Sequence, residues 1–145
     1  KVVAIKEESG AIDWVRTGRI ATDHSVPFIT GGGENMVPYY YLAGAVGFTT
    51  GMANLTLPKS IQLHNAAIKG RWKAAMEQRD YFESLTSLRS ELGTPMLKSG
   101  LEMMGFSGGP VRDTTAQYST TDAGHVLDAR GRRRVRSLLK KKGIL

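Results

Sequence analysis

The chain has 145 residues, of which 41% are hydrophobic and 23% charged, a balance typical of one globular domain. It contains no cysteine, which excludes disulfides and thiolate metal sites, and its three histidines, His24, His64 and His125, lack the spacing of metal ligands. The sequence shows no apolar run of about 18 residues and no signal-peptide pattern, so we expect a soluble, cytoplasmic protein with no membrane partner.

The net charge of +7 is concentrated near the carboxyl end of the chain. Residues 124–145 contain eight basic residues and one acidic residue, whereas the remainder contains twelve of each. Val135, Leu138 and Leu139 have helical spacing, which predicts an amphipathic terminal helix. We interpret its basic face as a solvated surface, with binding to a nucleic acid or to an anionic surface as the alternative.

The first 70 residues alternate between short apolar runs and segments of helical length. Strands are predicted near residues 2–6, 25–30 and 45–49, and the segments that follow them are predicted to be helices (11–23, 34–45 and 57–70). Pro38 lies in the first turn of its helix, where proline is tolerated, and Gly70 is expected to end the third helix. Because no hairpin signal joins the strands, the pattern predicts parallel βα units.

The three strand ends carry polar or glycine-rich loops, and the carboxyl ends of parallel strands are where functional groups gather. Lys6 at the first end has two interpretations. It is either a strand cap whose ammonium stays in water, or a desolvated amine that attacks a ketone to form a Schiff base. The loop TGGGEN, residues 30–35, likewise either provides a tight turn or lets backbone N–H groups approach an anion. Glu34 within it also suits the start of a helix.

The second half of the chain is predicted to be mainly helical. Helices are expected over residues 71–92 and 94–105, followed by an irregular loop over 105–124 and the basic terminal helix. No solenoid-type repeat is evident.

Three segments of the sequence resemble the dihydrodipicolinate synthase / N-acetylneuraminate lyase family: AIKEESG (4–10), FITGGGEN (28–35) and LAGAVGFTTGMAN (42–54). TPMLKSGLEMMG followed by GGPVR is similar to the family's C-terminal helices and loop, so the resemblance covers essentially the whole chain. Members are TIM (β/α)₈ barrels with a helical C-terminal extension. The resemblance therefore implies an α/β fold in which residues 1–70 form barrel strands 6–8 with their helices and residues 71–145 form the extension.

The resemblance also implies a function and its residues. Members form a Schiff base between a lysine and pyruvate or another 2-keto acid, and Lys6 corresponds to that lysine on the sixth strand. The covalent lysine replaces any cofactor, and no metal is implied. Five further positions are expected to contact the substrate: Gly32, Glu34, Asn35, Thr49 and Gly51.

The expected protein is thus a class I aldolase, lyase or dehydratase that forms a dimer or tetramer. The family's proton-shuttling tyrosine and its carboxylate-binding Gly–Thr/Ser segment come from earlier strands and have no match here, so an N-terminal half of the barrel is the expected partner. The alternative is a non-catalytic half-barrel that serves as a binding or assembly module with an anion-binding basic tail. The choice of keto acid and the type of reaction lie beyond the sequence.

Overall fold

A three-stranded parallel sheet with the order β1-β2-β3 organises the first part of the chain. The strands are β1 (Ile5–Glu7), β2 (Phe28–Thr30) and β3 (Gly47–Phe48). The predicted parallel βα units are confirmed. The computed structural model describes residues 1–111 and 126–145, so most of the loop predicted over 105–124 lies outside the described residues.

The strands are shorter than predicted, and Pro27 accounts for the short first strand. The Ile5 N–H donates to the Pro27 carbonyl at 3.0 Å, but Pro27 has no N–H to return. The β1–β2 ladder cannot extend further toward the amino end, and Val2 and Val3 are left exposed.

Four helices accompany the sheet or follow it: α1 (Ile12–Ala21), α2 (Val37–Leu42), α3 (Ala53–Ile68) and α4 (Trp72–Leu92). The segment expected to form one helix over 34–45 is divided into a 3₁₀ turn, Glu34–Met36, and α2. Pro38 explains the division, since it lacks the N–H that would bond to the carbonyl of Glu34 in a continuous α-helix.

Helix α3 begins at Ala53 rather than at the predicted Leu57. Thr56 has non-helical backbone angles (φ −134°, ψ 24°) two residues before Pro58, so the helix is kinked there. A proline inside a helix removes a backbone donor and disfavours the helical conformation of the residue before it. The helix ends at Ile68, and Gly70 adopts a left-handed φ of +65° just beyond it, which confirms the predicted stop.

The chain divides into two compact units, of which the first comprises Lys1–Ala53 and Leu57–Glu83 and contains the sheet. The second comprises Asn54–Thr56 and Ser84–Leu145, and it holds α5 (Thr94–Met103) and the predicted terminal helix, α6 (Ala129–Lys141). Within the part of the chain that the structure describes, none of the helices has the length and apolar character that crossing a membrane requires.

The two faces of the sheet differ, and this difference positions the candidate site. Side chains alternate along a strand, so the register places Glu7, Thr30 and Phe48 on one face. We call this the helix face because Phe28, which shares it, packs against Gly18 of α1. The opposite face, termed the open face, carries Lys6, Ile29 and Gly47.

Candidate functional site

Lys6 lies near the carboxyl end of β1 on the open face of the sheet. Its Nζ is 2.6 Å from Oε2 of Glu8, and the side chains are 43% and 47% exposed, respectively. Gly31 lies directly under this ion pair: a Cβ at Gly31 would be 2.6 Å from Lys6 Cε and 2.7 Å from Glu8 Cδ. The absence of a side chain at residue 31 therefore makes the space in which Lys6 and Glu8 meet.

Backbone hydrogen bonds hold the three strand ends at one edge of the sheet. The Gly31 N–H donates to the Glu7 carbonyl at 2.6 Å, and the Thr49 N–H donates to the Thr30 carbonyl at 2.8 Å. The Gly32 N–H donates to the Thr30 hydroxyl at 3.0 Å. The structure thus brings three of the predicted site segments together, those of Lys6, Gly32 and Thr49.

Glu7, the neighbour of Lys6, turns its carboxylate to the helix face and is 6% exposed. Its Oε1 accepts hydrogen bonds from the backbone N–H of Ser9 at 2.6 Å and from the Ser9 hydroxyl. Burial raises the pKa of Glu7, but hydrogen bonds from Ser9, Tyr40 and the Gly10 N–H outweigh burial and bring the pKa below its ordinary value. A buried anion therefore fixes the backbone that follows Lys6.

Tyr40 of α2 is the buried group that faces Glu7. Burial, the Glu7 hydrogen bond and the Glu7 charge raise the pKa of Tyr40 to about 12, against a lowering contribution from Thr30, which is fully buried. Tyr40 therefore remains a neutral phenol at physiological pH and lies on the helix face, away from the side on which Lys6 projects.

Glu34, predicted to contact the substrate, is 1% exposed at the start of the 3₁₀ turn. Its Oε1 accepts a hydrogen bond from the Ser60 hydroxyl of α3 at 3.2 Å. Burial raises the pKa of Glu34, and hydrogen bonds from its own backbone, Thr50 and Ser60 offset only part of the increase. The carboxyl group thus links the loop after β2 with the loop after β3, and its contacts are with Thr50 and Ser60 rather than with Lys6.

The other two predicted substrate contacts are in different surroundings. Asn35 is half-buried, and its backbone carbonyl accepts a hydrogen bond from Nε of Arg79 at 3.3 Å. Gly51 is exposed in the turn before α3. That these two residues contact a substrate stays a prediction.

A cavity of about 470 Å³ borders β3 and α3 within the first unit. Its lining is largely apolar and includes Phe48, Leu57, Ile61 and His64. The Tyr41 hydroxyl lies 2.7 Å from Nδ1 of His64, and burial raises the pKa of Tyr41 to about 12. Among residues 1–111 and 126–145, no three His, Asp or Glu side chains converge to form a metal site.

Sequence reasoning missed three members of this region: Glu8, Tyr40 and Ser60. Glu8 could have been found, since side chains two residues apart along a strand project to the same side, which brings it to Lys6. Tyr40 and Ser60 carried no such signal, because they reach Glu7 and Glu34 from distant helices.

No family model matches this chain. Its structure is similar to that of dihydrodipicolinate synthase from Oceanobacillus iheyensis, with a TM-score of 0.77 and 26% identity over 99% of this chain and 47% of that one. The dihydrodipicolinate synthase from Aquifex aeolicus matches with a TM-score of 0.81 and 19% identity over 99% of this chain and 46% of its own. N-acetylneuraminate lyase from Fusobacterium nucleatum matches with a TM-score of 0.77 and 16% identity over 97% of this chain and 45% of the lyase chain.

The chain spans about half the length of the solved structures it matches. Two of these proteins are synthases and one is a lyase. The matches to the Aquifex aeolicus synthase at 19% identity and to the Fusobacterium nucleatum lyase at 16% identity show a shared fold only. The resemblance predicted from the sequence is confirmed: the chain has the fold of part of a dihydrodipicolinate synthase or N-acetylneuraminate lyase, and the extent of the match is consistent with a C-terminal portion.

Proposed function

We propose that the chain is the C-terminal part of a class I aldolase or lyase that forms a Schiff base between Lys6 and pyruvate or a related 2-keto acid. Strands β1, β2 and β3 correspond to strands 6–8 of a TIM barrel. The N-terminal half of the barrel completes the enzyme, which assembles as a dimer or tetramer and uses no cofactor beyond the lysine.

The placement of Lys6 is the observation that carries this proposal. Lys6 projects from the open face next to the carboxyl edge of a parallel sheet, where Gly31 leaves room for its side chain. Active sites of (β/α)₈ enzymes lie at that edge, and in a closed barrel the face opposite the outer helices is the interior. A lysine at this position faces the enclosed space in which a keto acid would bind.

The chemistry follows from the properties of an amine in such a site. A neutral amine adds to the keto carbon of the substrate, and loss of water yields an imine. The protonated imine withdraws electrons from the adjacent carbon, which then loses a proton or breaks a carbon–carbon bond. This one intermediate serves aldol cleavage, condensation and dehydration alike.

The predicted substrate-binding residues take two roles in the proposal. Gly32, Thr49 and Gly51 line the carboxyl edge and meet the substrate through backbone groups and the Thr49 hydroxyl. Glu34 holds the loops after β2 and β3 in position from beneath, since its carboxyl group is buried against Ser60. Asn35 follows it in the same loop.

A panel of 2-keto acids, aldehydes and sugar acids tests this function in the full-length protein. We expect release or consumption of pyruvate with at least one pair of substrates, and loss of that activity in Lys6→Arg, which keeps the charge but is not a nucleophile. Lys69→Arg, in the exposed segment after α3, is the matched control. Equal activity in wild type and Lys6→Arg would contradict the proposal.

A second candidate function rests on α6. Arg132 is paired with Glu102 and Arg134 with Glu91. Five more basic residues of this helix are exposed: Arg130, Arg133, Arg136, Lys140 and Lys141. Such a surface suits a module that binds an acidic protein partner through charge complementarity.

Binding to a defined acidic polypeptide, poly-glutamate, distinguishes the two candidates. The module predicts salt-sensitive binding that is lost when Arg133, Arg136 and Lys140 are replaced by glutamine. The enzyme predicts unchanged turnover in the same variant. Fluorescence anisotropy and the pyruvate assay report the two properties separately.

A further inference from the structure

Arg79 of α4 joins the predicted C-terminal extension to the loop that follows β2. Its Nε donates a hydrogen bond to the Asn35 carbonyl at 3.3 Å, although the two residues are 44 positions apart in the chain. We propose that Arg79 is a positioning residue that holds this loop, residues 31–35, in the arrangement in which Asn35 meets the substrate. The proposal deepens the function proposed above and rests on it.

The Arg79 guanidinium is itself held by three further groups. Its Nη1 lies 3.0 Å from Oδ1 of Asp80, and its Nη2 lies 3.9 Å from Oε2 of Glu83. The guanidinium carbon lies 5.9 Å from the centre of the Tyr39 ring of α2, a cation–π arrangement. Only 27% of the Arg79 side chain is exposed. A planar guanidinium shared among these groups has little freedom, so it presents Nε to the Asn35 carbonyl in a fixed direction.

Two helices hold the loop at two consecutive residues. The buried Glu34 carboxyl group accepts a hydrogen bond from the Ser60 hydroxyl of α3, and the Asn35 carbonyl accepts one from Arg79 of α4. The second bond has a charged donor, and such bonds are stronger than those between neutral groups. Without Arg79 the loop is held by α3 alone, and a displacement of about 1 Å in a substrate-positioning group can cost about 10²-fold in rate.

The course of the loop indicates which part of a substrate depends on Arg79. Gly31 lies directly under the Lys6 side chain, whereas Asn35 is four residues farther along, in the turn whose Glu34 is directed toward α3. A group that meets Asn35 therefore belongs to the part of the substrate away from the keto carbon. Arg79 thus governs the affinity for a substrate with a polar tail and not the reaction of pyruvate itself.

Borohydride trapping of the full-length protein with two keto acids tests the inference. Pyruvate has only the reacting end, whereas 2-keto-3-deoxygluconate adds a polyhydroxyl tail. We expect Arg79→Ala to raise the half-saturating concentration of the longer acid by about 10-fold or more, the effect of losing a hydrogen bond from a charged donor, and to change that of pyruvate by less than about 2-fold. Arg79→Lys keeps the positive charge beside Asp80 and Glu83 but lacks Nε, and we expect the same selective loss.

Arg89→Lys is the matched control. Arg89 lies on the same helix and donates to the Thr94 hydroxyl at 3.2 Å rather than to the loop, so we expect both half-saturating concentrations to equal those of the wild-type protein.

Each outcome has a distinct meaning. A rise for the longer acid alone, in either Arg79 variant and not in Arg89→Lys, supports the inference, because a general loss of structure would affect both acids. Half-saturating concentrations that equal the wild-type values in both Arg79 variants, that rise equally for the two acids, or that rise for the longer acid in Arg89→Lys as well overturn the role of Arg79 alone. Absence of any adduct with either acid in the wild-type protein overturns the proposed function and this inference with it.

Discussion

Glu7 and Glu34 are buried carboxyl groups whose surroundings have opposite effects on ionisation. Glu7 accepts hydrogen bonds from the Ser9 N–H and hydroxyl, which stabilise its anion and lower its pKa. Glu34 has hydroxyl partners that offset only part of the burial cost, so its pKa is raised. The first group therefore stabilises the fold when ionised, whereas ionisation of the second costs stability.

We expect glutamine variants of these two residues to respond to pH in opposite directions. The stabilisation from ionised Glu7 is present above its ordinary pKa and is lost as pH falls through the lowered value. Glu7→Gln should therefore be destabilised, by about 1 kcal/mol, at neutral pH but not in acid. Glu34→Gln should gain stability relative to wild type as pH rises, because wild type must ionise a buried group.

Urea unfolding of the full-length protein at about pH 2.5 and about pH 7.5 measures both differences, because the Glu7 contribution is lost only once the pH falls through the lowered pKa of Glu7. Each variant is the control for the other, since general effects of pH on the protein act on both. Differences that change in the same direction for the two variants would contradict the assignment.

A methyl group at residue 31 tests whether the position of Lys6 depends on the space above Gly31. In Gly31→Ala the new Cβ would displace Lys6 Cε and Glu8 Cδ, and a displacement of about 1 Å can cost about 10²-fold in rate. We expect borohydride trapping to slow by roughly 10- to 100-fold while the far-ultraviolet circular dichroism is retained. Gly33→Ala is the control, since Gly33 is exposed with φ −62°, which alanine adopts readily.

Part of this residue-level picture could be predicted from the sequence. Lys6 was recognisable because an apolar run delivers it to a glycine-rich edge, and its motif resembles a known family. The burial of Glu34 was not, because the hydroxyl groups that accommodate its carboxyl come from Thr50 and Ser60, far along the chain. Local patterns indicate which residues follow a strand but not which of them turn inward.

At the scale of the elements, apolar spacing identified the helices, and the bounds that were predicted wrongly lie next to prolines. Pro38 divides the predicted second helix, and Pro58 lies inside a helix that was predicted to start after Thr56. Pro27 ends the first strand pairing. At Pro38 and Pro58 the missing N–H removes a bond to the carbonyl four residues back in the same helix. At Pro27 it removes a bond to another strand, and that partner becomes known only with the structure.

The terminal helix α6 offers a test of one such local interaction. Asp128 is its N-cap, and the side chain accepts a hydrogen bond from the Gly131 N–H at 2.6 Å. Asp128→Ala should destabilise the protein by about 1 kcal/mol, whereas Asp128→Asn keeps the acceptor and should lose much less. Thermal and urea unfolding of the two variants measure the difference, and equal losses would contradict a capping role.

At the scale of the whole chain, the described residues expose apolar surface that favours association. The edges of the sheet are β1 and β3, and an exposed apolar stripe runs along α3 through Leu57, Ile61 and Ile68. Val2 and Val3, just before β1, are 65% and 77% exposed. Unpaired strand edges and contiguous apolar surface both promote association.

We therefore expect residues 1–145, expressed alone, to associate or aggregate, and light scattering measures this directly. Replacing Leu57 and Ile61 with lysine should reduce the association, because it interrupts the apolar stripe without altering buried residues. A monodisperse monomer of 15.8 kDa that unfolds cooperatively would contradict the half-barrel interpretation.

Reductive trapping detects the covalent imine that we propose between Lys6 and a 2-keto acid. The full-length protein is treated with pyruvate and borohydride, digested, and examined by mass spectrometry. We expect a pyruvate-dependent adduct on the peptide that contains Lys6, and we expect it to be absent from Lys6→Met and present in Lys69→Met. An adduct on a different lysine, or no adduct at all, would contradict it.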